Sequence, residues 1–494
     1  MNQHSTAIPL PDDLLPVLGG TGSTPRLLDL LVAHQRARRL LTLRAVLEAV
    51  RDAPAGSLPD GTADRLLADW RLLEEAERAD PAEARRVVHY PHTGAWAERC
   101  LRALTRSGQT HRAAVELPHL AALAAGAAAR AGLRFSIEVP LRDGELRLPT
   151  LGGYRPPYAV ARSVTRFLVT GDGNRLWLAP AHANPPPNRP ANPPPYTSAG
   201  TAGTAGTAGT VRPVEVRRAP DGIWRSAAPG WHPLQALRGA DGRPVLLDDT
   251  DPYRDEERRN SLYGLDVSGR LDGAEHAAWR GAWHDAQPWL RAADPWLRAP
   301  QGTRAREVGA LLDCFVPLAG APLAQCSATR GEAFGALLTT TPQDGLELAA
   351  TLVHELQHAK LLALSRLTVL HTADDTPGYW APWRPDPRPF DGLFQGAYAH
   401  LALAGFHLRA ALTLTEPTRR DAAWAQHCRC RQQVAMALPQ MLGARALTPQ
   451  GRVLVNAMAA QHTRLKEHTP PEGHLARATA YVETARVMWR RQRT

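Results

Sequence analysis

From Leu346 to Leu370 the chain runs 25 residues without Gly or Pro, mostly apolar, and this run carries His354-Glu355-Leu356-Gln357-His358. So long an uninterrupted apolar segment reads as a helix buried on most of its faces. Thr341-Pro342 reads as its start, a hydroxyl cap followed by Pro at the first position, with Asp344 in the first turn. Positions four apart lie one above the other on a helix, so His354 and His358 share a face and can address one metal ion. Two imidazoles inside an apolar helix need polar partners within the protein. Glu355 stands where zinc peptidases place the carboxylate that polarises a metal-bound water.

The 494-residue chain is long enough for two or three domains, and its 44% apolar content suits a globular protein. A net charge of +10 points to a basic surface, yet Lys occurs only at Lys360 and Lys466. Arg in place of Lys, with abundant Ala, Pro and Gly, reads as the codon bias of GC-rich coding. The basic residues are scattered and lack interleaved aromatics, so no nucleic-acid partner is expected. Cys100, Cys314, Cys326, Cys428 and Cys430 are odd in number and form no CxxC pair, as in reduced cytoplasmic proteins. Residues 1–16 lack a basic then apolar pattern, so no signal peptide is expected. No apolar run reaches the roughly 20 residues that span a bilayer, so no membrane partner is expected either.

The pattern divides the chain into three. Residues 1–133 read as an N-terminal helical region, with Leu27, Leu28, Leu31 and Val32 at helical spacing and an Ala-rich continuation at 112–131. Residues 134–270 read as β-rich. Phe135, Ile137 and Val139 alternate, Asp143-Gly144 marks a turn and Leu146 and Leu148 alternate again, predicting a hairpin; strands at 164–178 turn at Asp172-Gly173-Asn174. The Pro/Asn run and Thr-Ala-Gly repeats at 181–210 read as a disordered insertion. Residues 271–494 read as a helical catalytic domain with helices near 273–298, 303–315, 342–370, 392–414, 420–441, 449–467 and 473–492. A strand is expected at 333–340. The fold class is α+β, mostly α-helical, with a zincin-like metal helix beside a strand.

Two histidines do not complete a metal site. A metzincin needs Gly and His in the next turn, where Leu361 and Leu364 stand. A gluzincin needs a Glu on a following helix, but no Glu lies between Glu355 and Glu416, which directly precedes Pro417. The remaining candidates are His371, Asp374, Asp375, Asp386, Asp391, His400 and His407. His400 is the first choice for a metal ligand, inside the helix expected at 392–414, with Gly396 allowing a close helix approach. Asp391, at the start of that helix, is the second.

Several segments carry a resemblance. Ser327-Ala328-Thr329, Ala333-Phe334-Gly335 and the run from Leu352 to Leu361 form one block. Tyr379, Ala381-Pro382-Trp383-Arg384, Asp386-Pro387-Arg388-Pro389 and the run from Gly392 to His400 form a second. Arg39 to Arg44 and Asp248 to Arg254 add weaker matches. Together they resemble the HExxH-motif family of peptide-modification proteins, which accompany radical-SAM maturases in gene clusters for ribosomally made natural products. The resemblance spans about residues 25–490 outside the insertion and is strongest over 327–407. It implies an Fe(II), 2-oxoglutarate-dependent β-hydroxylase (a non-haem iron dioxygenase) acting on a side chain of a precursor peptide.

Three features fit that expectation. An all-His or His/Asp site suits iron. The distal carboxylate of 2-oxoglutarate wants a bidentate guanidinium, which Arg388 or, second, Arg384 can supply, unless both merely pair with Asp386 or Asp391. An edge strand at 333–340 would take an extended peptide by strand addition. The alternative is a Zn peptidase with Glu355 as general base. Lys360 faces away from the histidines, where a structural ion pair would also explain it.

Overall fold

The computed structural model describes residues 11, 13–106, 108–181, 212–238, 243–255, 266–297, 303–320 and 326–491. It is a mostly helical α+β protein. Apart from residue 181, the expected insertion at 181–210 lies outside the described residues. The chain falls into two compact units, one of residues 1–39, 236–249 and 255–494, the other of residues 40–235 and 250–254. Helices α1 (Leu14–Gly19) and α2 (Pro25–Arg51) open the chain, with Pro25 at the first helical position behind the Thr24 hydroxyl, which accepts from the Leu27 N–H at 3.2 Å.

The second unit continues with α3 (Thr62–Ala79), α4 (Pro81–Val88), α5 (Pro91–Thr105), α6 (Thr110–Glu116) and α7 (His119–Arg130). Strands β1 (Phe135–Pro140), β2 (Leu146–Leu148) and β3 (Gly152–Tyr154) follow, then α8 (Tyr158–Ser163), β4 (Arg166–Asp172) and β5 (Arg175–Pro180). β6 (Val214–Arg218), β7 (Trp224–Arg225) and β8 (Trp231–Pro233) complete it. One sheet runs β1-β4-β5-β6-β7 and a second β2-β3-β8. The hairpin expected at Asp172-Gly173-Asn174 joins β4 to β5. The one expected across Asp143-Gly144 is limited to the antiparallel Arg142–Glu145 pair that closes the turn; beyond it β1 pairs with β4 and β2 with β3. β2 is three residues long, whereas β4 offers β1 a six-residue register, so the longer ladder takes it.

The expected boundary at 133/134 falls within a single core. Every residue of α7 is buried, and its Ala121, Ala125 and Ala128 pack with Val139, Phe167, Val169, Leu176 and Leu178 of the strands. Ala serves there because α7 lies against both the sheet and α3, with no room for larger side chains.

The first unit adds β9 (Gln235–Arg238), β10 (Pro244–Leu247), α9 (Gly273–Arg291), α10 (Thr303–Leu311), β11 (Cys314–Pro317), β12 (Ser327–Thr329) and β13 (Ala336–Thr339). Helices α11 (Gly345–Ser365), α12 (Phe390–Thr413), α13 (Pro417–Leu442), α14 (Pro449–Lys466) and α15 (His474–Arg491) close it. The sheet order is β12-β13-β11-β10-β9, with β10, β11 and β13 parallel and β12 antiparallel to β13 at the edge. The expected edge strand at 333–340 is therefore an inner one, and β12 holds the edge. Strand β11 is buried at all four positions, so it shows no alternation by which to read it.

Helix α11 starts later than expected. Asp344 is its cap, its carboxylate accepting from the Glu347 N–H at 2.9 Å, and Thr341-Pro342 lie outside. Gly345 then meets α9 so closely that a Cβ would lie 2.3 Å from the Asp285 carbonyl carbon. Leu348, Leu352 and Leu356 pack with Phe315 and Leu337 of the sheet, and Leu361 and Leu364 with Phe394 and Leu401 of α12. Among the described residues, no helix is long and apolar enough to cross a membrane.

Candidate metal centre

His354 and His358 lie where their spacing on α11 puts them, ring centroids 4.7 Å apart and Nε2 atoms 3.1 Å apart. Two nitrogens each about 2.1 Å from a shared ion stand about 3.0–3.4 Å apart. The His400 ring comes from α12, its centroid 5.6 Å from that of His354. Among the described residues, no group of three or more His, Cys, Asp or Glu side chains is arranged to hold a metal ion. The three imidazoles are gathered, with His354 and His358 at ligand spacing and His400 beside them.

The hydrogen bonds select the nitrogens. His400 Nδ1 donates to the Gly396 carbonyl at 2.8 Å, which in the neutral ring leaves Nε2 as a lone pair. His358 Nδ1 meets Gln395 Oε1 at 3.4 Å, with the same consequence. His354 Nδ1 is buried without a partner. Burial, with His358 and His400 as neighbours, holds the His354 pKa well below its ordinary value, and burial pushes that of His400 down to about 4. Both rings are thus neutral at pH 7, the form in which imidazole ligates. The pair fits a metal ion on these grounds, and His400 supplies a further oriented nitrogen.

Gly396 does not serve a helix–helix approach. A Cβ there would fall 2.2 Å from Trp383, whose indole stacks on His400 with centroids 4.5 Å apart and planes 19° from parallel.

Glu355 is 2% exposed. Its Oε1 accepts from the Ser327 hydroxyl at 2.7 Å, and Thr329 adds a second hydroxyl hydrogen bond. Residues 327 and 329 are two apart on β12, hence on one face. Oε2 is buried with no partner, and Oε1 lies 3.9 Å from His354 Nε2. Burial raises the carboxyl pKa, against the pull of His358 and the two hydroxyls. Sequence reasoning did not assign Ser327 and Thr329 this contact, although two hydroxyls spaced by two ahead of the motif helix were its signal.

Asp391 lies in the first turn of α12, but Pro389 takes the cap position and the Asp391 carboxylate points to His371 Nε2 at 3.4 Å. Arg384 pairs with Asp386 at 2.9 Å and Arg388 with the same carboxylate at 3.6 Å. Both arginine side chains are about one-third exposed, at 32% and 37%. Lys360, on the far side of α11, is wholly enclosed and pairs with Glu307 at 2.5 Å.

No known protein-family model matches the chain, and no curated protein matches it in sequence.

Proposed function

We propose that this protein is an Fe(II)- and 2-oxoglutarate-dependent peptide β-hydroxylase, built on a zincin-like metal helix. The observation that carries the reading is the pair of Nε2 atoms of His354 and His358 at 3.1 Å, with His400 beside them and the Glu355 carboxylate bound by Ser327, 3.9 Å from His354 Nε2. Imidazole ligands suit Fe, as they do Zn, Cu and Ni, and the choice of iron rests on the resemblance. His354, His358 and His400 would hold it. The chemistry such a centre supplies, once loaded, is oxidation by O2, with one oxygen entering a substrate C–H bond and the other leaving in succinate as CO2 is released.

The remaining roles fall to this chain's side chains. Arg388, with Arg384 second, would bind the distal carboxylate of 2-oxoglutarate, which would then replace Asp386 as their partner. Among the described residues β12 is the outer strand of its sheet, and its edge would take an extended precursor peptide by strand addition. Ser327 and Thr329 on that strand would fix Glu355 beside the reacting centre. A radical-SAM maturase acting on the same peptide is the partner that the resemblance implies.

The second reading, a zinc peptidase, rests on the buried, unpartnered Oε2 of Glu355, which a metal-bound water would satisfy. The enclosure of Glu355 and its two hydroxyl partners favour a fixed carboxylate over a solvent-linked proton shuttle. One experiment separates them. Protein prepared without oxygen is loaded with Fe(II) or Zn(II) and given 2-oxoglutarate, air and a candidate precursor peptide of the kind the resemblance implies. Succinate formation with a 16 Da gain is expected with iron. Cleavage that needs zinc and ignores 2-oxoglutarate would overturn the proposal and make Glu355 a general base.

A further inference from the structure

We infer that Trp383 is a positioning residue for the metal centre, holding the His400 imidazole in its ligating orientation. The inference rests on the proposed metal site.

Three contacts define the His400 ring. Its Nδ1 edge is tied to the Gly396 carbonyl at 2.8 Å. One face carries the Trp383 indole, 4.5 Å away and 19° from parallel. The His354 ring stands across from it at 5.6 Å and 81°. The indole itself occupies the space a side chain at 396 would fill, since a Cβ would meet its Cζ2 at 2.2 Å and its Nε1 at 2.8 Å. Gly396 therefore acts twice on the same histidine one turn later. Its carbonyl fixes the tautomer, and its missing Cβ admits the ring that fixes the plane.

A hydrogen bond at Nδ1 alone leaves an imidazole free to swing about that bond. A flat contact on one face removes this freedom, so Nε2 stays aimed along one line. Trp383 can do this because its own segment is pinned. The Arg384 N–H closes a turn onto the Ala381 carbonyl at 2.9 Å. Gln433 and Gln440 of α13 donate to the Pro382 and Trp380 carbonyls at 3.5 and 3.0 Å. The indole is thus a fixed wall, and ordering the third ligand before the metal arrives lowers the entropy cost of binding. Groups that orient a metal-ligating histidine typically change metal affinity about 10- to 100-fold.

The test uses the full-length chain and Co(II) as probe, reading affinity by titration and ligand geometry by the visible absorption bands. Trp383→Leu keeps apolar bulk without the flat contact, and should weaken Co(II) binding about tenfold and shift the bands, at an unchanged melting temperature. Trp383→Phe should restore most of both. Gly396→Ala leaves every side chain of the centre in place but displaces the indole, and should reproduce the Leu variant. If Trp383→Leu and Gly396→Ala bind Co(II) with wild-type affinity and spectrum while His400→Ala loses it, the positioning role is wrong and the metal site stands. If the wild type binds no Co(II), the metal reading fails and this inference with it; if His400→Ala binds it unchanged, His400 is no ligand and the positioning role of Trp383 is overturned while the His354–His358 pair stands.

Discussion

Lys360 Nζ and Glu307 Oε1 meet at 2.5 Å with both side chains wholly enclosed. The ammonium also donates to the Thr21 and Gly22 carbonyls, at 3.2 and 3.3 Å. Arg304 joins Glu307 to Asp294, and Arg409 of α12 reaches Asp294 at 2.7 Å. Burial pushes the Glu307 carboxyl up, but Lys360 and Arg304 outweigh it and hold it below the usual range. This buried network ties the loop after α1 to the back of the histidine-bearing helix. Lys360→Met should destabilise by about 3–5 kcal/mol, because it strips a partner from a buried charge. Adding Glu307→Gln should recover part of that loss. Urea unfolding checks this, and a Lys360→Met variant as stable as wild type would refute it.

Lys360 was conspicuous in the sequence as one of two lysines, but its partner Glu307 was not, since the two are 53 residues apart with no shared pattern. The same distinction runs through the fold. Helices α11 to α15 were legible because each is long, and periodicity and local caps accumulate within one segment. Strands β11 and β12, four and three residues long, carry no period of their own and exist through their neighbours. The shared core of α7 and its sheet was hidden for the same reason, since it is set by which faces meet. At the site, the His354–His358 spacing is a local property of a helix. The contacts of Trp383 with His400 and of Ser327 with Glu355 join separate segments, and only folding brings them together.

Removing the Ser327 hydroxyl leaves a buried carboxylate oxygen short of a partner, which costs on the order of 1–3 kcal/mol. Ser327→Ala should therefore lower stability by that amount and cut turnover about 10- to 100-fold, with bound metal retained. Ser327→Thr keeps a hydroxyl and should keep most of the activity. Elemental analysis beside turnover tests the claim, which fails if Ser327→Ala turns over normally.

His400 and Asp391 are distinguished by their present partners. The His400 ring stands beside His354, whereas the Asp391 carboxylate is directed to His371. His400→Ala should weaken metal binding at least about tenfold, and Asp391→Ala should leave it unchanged. The reverse order in a metal titration would transfer the third ligand to Asp391.

Acid should unfold the first unit through its buried histidines. Burial brings His407, His427 and His462 down to about 4 each. The unfolded chain takes up protons near pH 6.5 while the folded one does not, so the stability from keeping these rings neutral is full above pH 6.5. It is lost as pH falls from there towards 4. His427→Gln should flatten that dependence by on the order of 2 kcal/mol between pH 7 and 4. Denaturant titrations at several pH values measure it, and an unchanged slope would refute the assignment.

The two arginines of the loop before α12 should differ in their effect on 2-oxoglutarate. Arg384 lies 2.9 Å from Asp386, while Arg388 stands off at 3.6 Å. Asp386 is held below the usual carboxylate range, its slight burial outweighed by the Arg384 hydrogen bond and the Arg388 charge. An incoming carboxylate must therefore compete with Asp386, and it competes better for the guanidinium that Asp386 holds less closely. Losing a bidentate Arg–carboxylate contact costs roughly 2–4 kcal/mol. Arg388→Ala should raise the apparent Michaelis constant for 2-oxoglutarate by about one to three orders of magnitude with metal still bound, and Arg384→Ala by less. Asp386→Ala removes the competitor and should lower that constant. Succinate release against 2-oxoglutarate concentration reads all three. Wild-type constants in both arginine variants would remove the loop from cofactor binding, and a rise with Asp386→Ala would mean that Asp386 holds the arginines in place.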